Sequence, residues 1–191
     1  MDVRLKAGFA LTGSFCTFDN VIPIMKQLVE NGYDITPIFS EFAYETDTRF
    51  GKAADFAESL KQITGNTVIH TITQAEPIGP YDLFDVLVIA PCTGNTLGKL
   101  NCGITDTSVT MAAKAHLRNE KPLLIAVSTN DALGASSKNI GGLLTCRNVY
   151  FVPMKQDSPD SKPRSVVADF SKIPEAIALA LQGKQLQPVY L

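Results

Sequence analysis

The residues in this chain with the most evident chemistry are six in a row, Pro91-Cys92-Thr93-Gly94-Asn95-Thr96. They follow a continuous apolar run, Val86 to Ala90, and precede a short helix-like stretch, Leu97 to Cys102. A buried strand that turns through small hydroxyl and glycine residues into a helix makes an anion site, because the helix's first backbone N–H groups point outward without partners. Thr93, Asn95 and Thr96 add side-chain hydrogen bonds suited to a phosphate or to the edge of a flat ring. Cys92 has two readings: a thiolate stabilised at a helix start, with a redox role, or a small spacer beside a bound ring. A second strand–glycine turn–helix junction lies at Leu11-Thr12-Gly13-Ser14. Ser40 and Ser128-Thr129-Asn130 close two further apolar runs. In an open α/β sheet all of these fall at the carboxyl ends of strands, so one cofactor of mononucleotide size is expected across them.

Other chemistries lack their residues. The first turn is not GxGxxG, since only Gly8 and Gly13 are present, and Glu41 only approaches the position of a ribose-binding acid. There is no GxSxG, no HExxH and no P-loop with its lysine. With no acid–base constellation evident, any redox chemistry would most easily come from a bound cofactor. The four cysteines form no CxxC pair and there are two histidines, which gives no expectation of a metal site. A net charge of −2 and a pI of about 5.7 point away from nucleic acid and from anionic membranes. No run of about 18 apolar residues suggests a membrane span, and Met1 to Lys6 lacks the apolar core of a signal peptide. The expectation is a cytoplasmic protein with reduced thiols.

Apolar runs alternate with helix-period segments throughout, the pattern of a parallel sheet covered on both faces. Strands are predicted at Leu5–Leu11, Ile35–Phe39, Val68–Thr71, Val86–Ala90, Leu123–Val127 and Val149–Val152. Helices are predicted at about Asn20–Asn31, Lys52–Ile63, Ser108–Asn119, Ser136–Leu144 and Val166–Leu181. Pro23 requires a first-turn position and Pro174 suggests a break inside the last helix. Gln74 to Tyr81 is turn-rich, without room for a long crossover helix. Lys155 to Ser165 reads as a mobile polar loop, and residues 183–191 as a short, loosely attached tail. The whole, 1–191, is expected to be one three-layer α/β domain, Rossmann-like, with a six-stranded and mainly parallel sheet.

Gly13-Ser14, Ser40, Pro91 to Thr96 and Ser128-Thr129-Asn130 together resemble the cofactor stations of the homo-oligomeric flavin-containing cysteine decarboxylase family. That family's central motif is Pro-Ala-Ser-Ala-Asn-Thr; here Cys92, Thr93 and Gly94 replace Ala, Ser and Ala. The resemblance implies FMN held by Gly13, Ser14, Ser40, Cys92, Thr93, Asn95, Thr96, Ser128, Thr129 and Asn130, at the interface of a trimer or higher homo-oligomer. Glu76 to Pro80, Ala126 to Asp131 and Gly183 to Pro188 are similar to one branch of the family. Its members work beside a companion protein carrying NAD(P) and oxidise a small dihydro-ring dicarboxylate to an aromatic acid. The setting this implies is the mother-cell cytoplasm of a sporulating bacterium.

Decarboxylating members carry a catalytic histidine before the central strand and a Pro-x-Met-Asn-x-x-Met-Trp clamp. This chain has no Trp, and Val127 to Leu133 does not match the clamp. His70, 21 positions before Pro91, is either a redeployed acid–base residue or a strand-end histidine. His116, on an alanine stripe, reads as a packing or interface residue. A dicarboxylate requires cations, and Lys138, Arg147 and Arg164 are the candidates, with Lys155 and Lys162 beside them. Two other functions remain open: a flavin-dependent decarboxylase or prenyltransferase-like enzyme, and a non-catalytic scaffold that activates the companion protein.

Overall fold

The computed structural model describes residues 4–191. Five parallel strands form its centre: β1 (Lys6–Leu11), β2 (Asp34–Phe39), β3 (Val86–Cys92), β4 (Leu123–Thr129) and β5 (Val149–Phe151). Two more, β6 (Met154–Ser158) and β7 (Lys162–Ala168), form an antiparallel hairpin that joins the end of β4 through Ser128–Val167 and Thr129–Val166. The order is β2-β1-β3-β4-β7-β6, with β5 also on β4.

The strands lack polar alternation because both faces are buried. On one face Phe9, Leu11, Val88 and Ala126 meet α1 (Phe18–Glu30), α3 (Ala53–Thr64) and α8 (Ile173–Ala180). On the other Ala10, Ile89, Ile125 and Val127 meet α4 (Ile72–Ala75), α5 (Gly94–Asn101), α6 (Ser108–Leu117) and α7 (Ser137–Leu144). α2 (Glu41–Glu45) follows β2 directly, with Ser40 as its N-cap. Gly8 has no room for a side chain, since a Cβ there would lie 2.7 Å from Leu87 and Phe84.

Several expectations change. The strand at Val68–Thr71 is a single bridge, Ile38 to Ile69, because capped α4 begins immediately after Thr71. The crossover through 74–81 is α4 followed by a 3₁₀ turn, Glu76–Ile78, packed on α6. The polar segment 155–165 is not a loop but most of the β6–β7 hairpin, whose exposed charges mark an edge strand. The last helix starts at Ile173 rather than Val166, so Pro174 lies in its first turn and breaks nothing. Pro23 does lie inside α1, beyond its first turn; the Asp19 carbonyl it leaves unpaired belongs to a solvent-exposed residue. The tail is docked: Val189 and Leu191 bond Met154, and Gln185 bonds both backbone groups of Phe151. The sheet therefore has seven strands, two of them from the hairpin. Among the described residues no helix is long and apolar enough to cross a membrane.

Candidate functional site

The carboxyl ends of β1, β3 and β4 are tied together by buried and half-buried hydroxyls. Thr12 donates to the Pro91 carbonyl at 2.7 Å and accepts from the Thr93 N–H at 3.0 Å. One threonine thus fixes the β1 turn to the β3 turn. Ser14 and Ser128 Oγ lie 2.8 Å apart, joining the β1 and β4 ends across β3. After Ser14 the chain enters a 3₁₀ turn, Phe15–Thr17, whose first internal bond is Thr17 N–H to Ser14 O at 3.1 Å. The Phe15 and Cys16 amides precede that bond and remain available to an anion.

These turns open on a cleft of about 930 Å³. Of the expected cofactor residues, Gly13, Ser14, Thr93, Ser128, Thr129 and Asn130 line it. The opposite wall is the hairpin, through Lys155, Asp157, Lys162 and Ser165. Asp131 and Asp169 complete the charged lining.

The β3 turn is more closed than its sequence suggests. Thr93 is the N-cap of α5, accepting from the Thr96 N–H at 3.4 Å, and its hydroxyl is 3.1 Å from that of Thr96. Cys92 is wholly buried among Leu97, Val109 and Val127, and burial pushes its thiol up, away from thiolate formation. The redox reading of Cys92 is thereby corrected: its side chain points into the core and only its backbone can meet a ligand. Asn95 is exposed and Thr96 buried, and neither lines the cleft. Ser40 is also outside it; its Oγ caps α2 by accepting from the Ala43 N–H at 3.2 Å. Glu41, the near-match to a ribose-binding acid, bonds the Ser108 N–H at the start of α6 instead.

Asp131 was not singled out by sequence reasoning. Its Oδ1 accepts from the Thr129 hydroxyl at 2.6 Å and the Ser136 hydroxyl at 2.8 Å. The Thr129 bond, then the Ser136 bond, holds its carboxyl below the usual range despite partial burial. A Cβ on Gly94 would lie 2.6 Å from Ser136 Oγ, 2.7 Å from Thr129 Oγ1 and 2.8 Å from Asp131 Oδ1. This close approach is the physical reason for glycine where the resembled motif has alanine. The Thr129-x-Asp131 spacing was the available signal, but its partner Ser136 lies across a loop that only the fold closes.

The expected cations divide sharply. Arg147 precedes β5, so it lies at the amino edge of the sheet, opposite the cleft, and pairs with Glu120 at 3.4 Å. It is removed from the site because α7 carries the chain back before β5 begins. Lys138 is exposed on α7 and does not line the cleft. Arg164 lies on β7 against Gly134, near the rim. Lys155 and Lys162 do line the cleft; Lys162 pairs with Asp157 at 2.7 Å, which raises its pKa. Lys155 has no ion pair among the described residues. His70 stacks on Tyr44 with ring centroids 3.8 Å apart and lies outside the cleft. His116 is buried, with Nε2 3.0 Å from the Pro122 carbonyl, and burial pulls its pKa down to about 4, so it is a neutral packing residue.

A three-layer α/β sheet with hydroxyl-rich turns at one edge defines a class of protein, and known sequences and structures place the chain within it. The chain belongs to the flavoprotein family, whose family model matches residues 1–155. It is 42% identical over 184 residues to the B subunit of dipicolinate synthase from Bacillus subtilis (strain 168), covering 96% of this chain and 92% of that protein. The crystal structure of the corresponding dipicolinate synthase polypeptide from Bacillus halodurans superposes with a TM-score of 0.91 at 44% identity, over 100% of this chain and 98% of that one. DmrB of Burkholderia xenovorans, crystallised in complex with FMN, shares the fold with a TM-score of 0.70 at 17% identity, over 95% and 98% of the two chains.

Proposed function

We propose that the chain is a single flavoprotein domain that binds FMN and serves as the B subunit of dipicolinate synthase. In this reading it works with the nicotinamide-binding companion, the synthase's A subunit, to oxidise dihydrodipicolinate to dipicolinate in the cytoplasm of a sporulating cell. The observation that carries it is the 42% identity over 96% of the chain to a relative of that name.

The cleft fits such a cofactor. Its volume, about 930 Å³, is within the roughly 300–1,000 Å³ of small-molecule sites. Its donor set suits a phosphate at the β1 turn, through the Ser14 hydroxyl and the Phe15 and Cys16 amides. Thr93, Ser128, Thr129 and Asn130 supply hydroxyls and an amide for the rest of the molecule. FMN, when bound, supplies a two-electron acceptor that no side chain here provides. Lys155 offers a cation to a carboxylate from the hairpin wall. Phe42, 62% exposed yet packed on Phe15 beside Gly13, is an apolar surface that a second copy would cover in a homo-oligomer.

The test begins with the absorbance spectrum of the purified protein and the identity of any chromophore released on denaturation. Flavin bands with FMN released are expected, and the loaded protein should then stimulate turnover by the nicotinamide-binding companion. A colourless protein that refuses added FMN removes the cofactor. If FMN-free protein stimulates the companion equally well, the scaffold reading replaces this one.

A further inference from the structure

A dicarboxylate needs two cations, and the lining of the cleft leaves one to spare. Lys162 is engaged by Asp157 at 2.7 Å, so Lys155 is the lining lysine left free. A second charge stands behind an aromatic ring. Three aromatic side chains line the cleft, Phe15, Phe50 and Phe170. Phe15 and Phe170 belong to the core, at 9% and 7% exposure, whereas Phe50 keeps 43%. The Arg49 guanidinium carbon lies over the Phe50 ring, 4.8 Å from its centroid. Arg49 is exposed and forms no ion pair among the described residues. Contact with a ring consumes no acceptor, so its N–H groups stay available to a carboxylate. Both residues stand at the tip of a stiff turn. Thr48 and Gly51 exchange backbone bonds at 3.0 and 3.1 Å, and the Phe50 N–H donates to the Thr48 hydroxyl at 3.2 Å. Asp47 accepts from the Ala53 N–H at 2.9 Å, which ties the turn to the start of α3. Gly51 has φ +150°, and a Cβ there would lie 2.8 Å from the ring of Phe56, which packs edge-on against Phe18 in the core. The turn is thus pinned from below while its tip faces the cleft.

We propose that Arg49 and Phe50 form a substrate subsite at the mouth of the cleft. Phe50 gives apolar contact to a flat ring, and Arg49 pairs with one carboxylate of that ring while Lys155 takes the other. The ligand class is a planar cyclic dicarboxylate, and this rests on the function proposed above. Arg164, near the rim, lies against Gly134 instead, and no aromatic ring holds its guanidinium among the described residues. The pair reads what a dihydropyridine dicarboxylate and its aromatic product share, a flat apolar ring edged by two carboxylates. It therefore selects against monocarboxylates rather than between oxidation states. Sequence reasoning passed over both residues because they follow no strand; they reach the cleft only through the turn between α2 and α3.

The test uses two stable probes, pyridine-2,6-dicarboxylate and pyridine-2-carboxylate, in metal-free buffer. Calorimetric titration of the FMN-treated protein with each gives an affinity ratio, and the wild type should favour the dicarboxylate. Arg49→Gln should lower that ratio about fivefold, the scale of one partly exposed ion pair. Arg49→Lys keeps the charge without the planar fork and should recover part of the loss. Phe50→Ala should weaken both probes and lower the ratio, because the ring both meets the ligand and holds Arg49. Lys138→Met removes one positive charge outside the cleft and should leave the ratio standing. Melting curves and bound FMN check that each variant is folded and loaded. An unchanged ratio in Arg49→Gln, or a wild type without preference, overturns the inference while leaving the flavin reading intact. A ratio that moves with Arg164→Gln and not with Arg49→Gln gives the second cation to the hairpin and overturns it too. Loss of FMN from Arg49→Gln assigns the arginine to the cofactor, with the same consequence. Binding of neither probe to FMN-loaded wild type overturns the inference together with the cleft's assignment to a dicarboxylate. Failure of the wild type to take up FMN sinks the cofactor reading separately, and the ratios measured on the FMN-free protein then decide the role of Arg49.

Discussion

The β1 and β3 turns read alike in the sequence and differ in the fold. Both follow a buried strand, both contain glycine beside hydroxyl residues, and both enter a helix. Yet the β1 turn opens on the cleft with its first amides free, whereas the β3 turn meets the cleft only through Thr93 and is otherwise closely packed at Cys92 and Gly94. Cys92 is buried beneath it, Thr93 caps it, and the Thr129-Asp131-Ser136 cluster presses on Gly94. What separates them is their neighbours. The loop after β4 lies over the end of β3 and brings Thr129, Asp131 and Ser136 onto Gly94, while the β1 turn is met at Gly13 by the exposed ring of Phe42 on α2. A strand–turn–helix motif offers donors; whether a ligand receives them depends on which loop arrives there.

Substitution at Gly94 should break this contrast most sharply. Gly94→Ala puts a methyl within 2.6–2.8 Å of three oxygens and should destabilise by about 1–3 kcal/mol in urea denaturation. Adding Ser136→Ala removes the closest oxygen and should restore part of the loss. Gly13→Ala meets the exposed ring of Phe42 at 3.0 Å and Phe15 at an ordinary 3.8 Å, and should cost less than about 0.5 kcal/mol. Equal losses at the two glycines would show the turns to be equally packed.

The link between the turns comes next. Thr12→Val leaves the Thr93 N–H without its partner and reduces the Pro91 carbonyl to the 3.3 Å bond from the backbone N–H of residue 12, and should cost about 1–2 kcal/mol. Ser14→Ala removes a hydroxyl at the half-buried rim, so the expected stability change stays under about 0.5 kcal/mol. Its FMN affinity, read by quenching of flavin fluorescence, should fall severalfold. A stability loss without an affinity loss would turn Ser14 into a purely structural residue.

Smaller effects sharpen the picture. The folded-state pKa of Asp131 is depressed, so its contribution to stability is present above the unfolded value near 3.8 and is lost as pH falls through the folded value. Asp131→Asn should therefore flatten the acid limb of the stability profile below about pH 4 and leave the neutral region unaltered in slope. Thiol titration separates the cysteines: Cys16, Cys102 and Cys146 are exposed and should react in the native protein, while Cys92 should react only on unfolding. A fourth native thiol reacting at the same rate would mean that the β3 turn opens in solution.

Much of the sheet was legible because burial on both faces leaves continuous apolar runs at β1, β3 and β4. The hairpin was not. Lys155 to Ser165 has the composition of a solvated loop, and it becomes strand only because the end of β4 offers unpaired backbone at Ser128 and Thr129. The bridge at Ile69 shows the reverse, an apolar run that pairs at one residue before Thr71 caps a helix. Among site residues, Gly13, Ser14, Thr93 and Ser128 to Asn130 could be assigned from their places after apolar runs. Lys138 and Arg147 could not be excluded, since sequence distance from a strand does not reveal the edge to which the chain returns.

By itself the sequence determined the α/β class, the edge of the sheet that carries the site, and the hydroxyl-rich turns there. Those properties follow from local rules, apolar periodicity and the geometry of strand–helix junctions. Only the tertiary structure decided that Cys92 faces the core, that Asp131 meets Gly94, and that the hairpin walls the cleft. Each of these joins residues from separate elements, and the direction of a side chain at a turn is set by the packing that surrounds it.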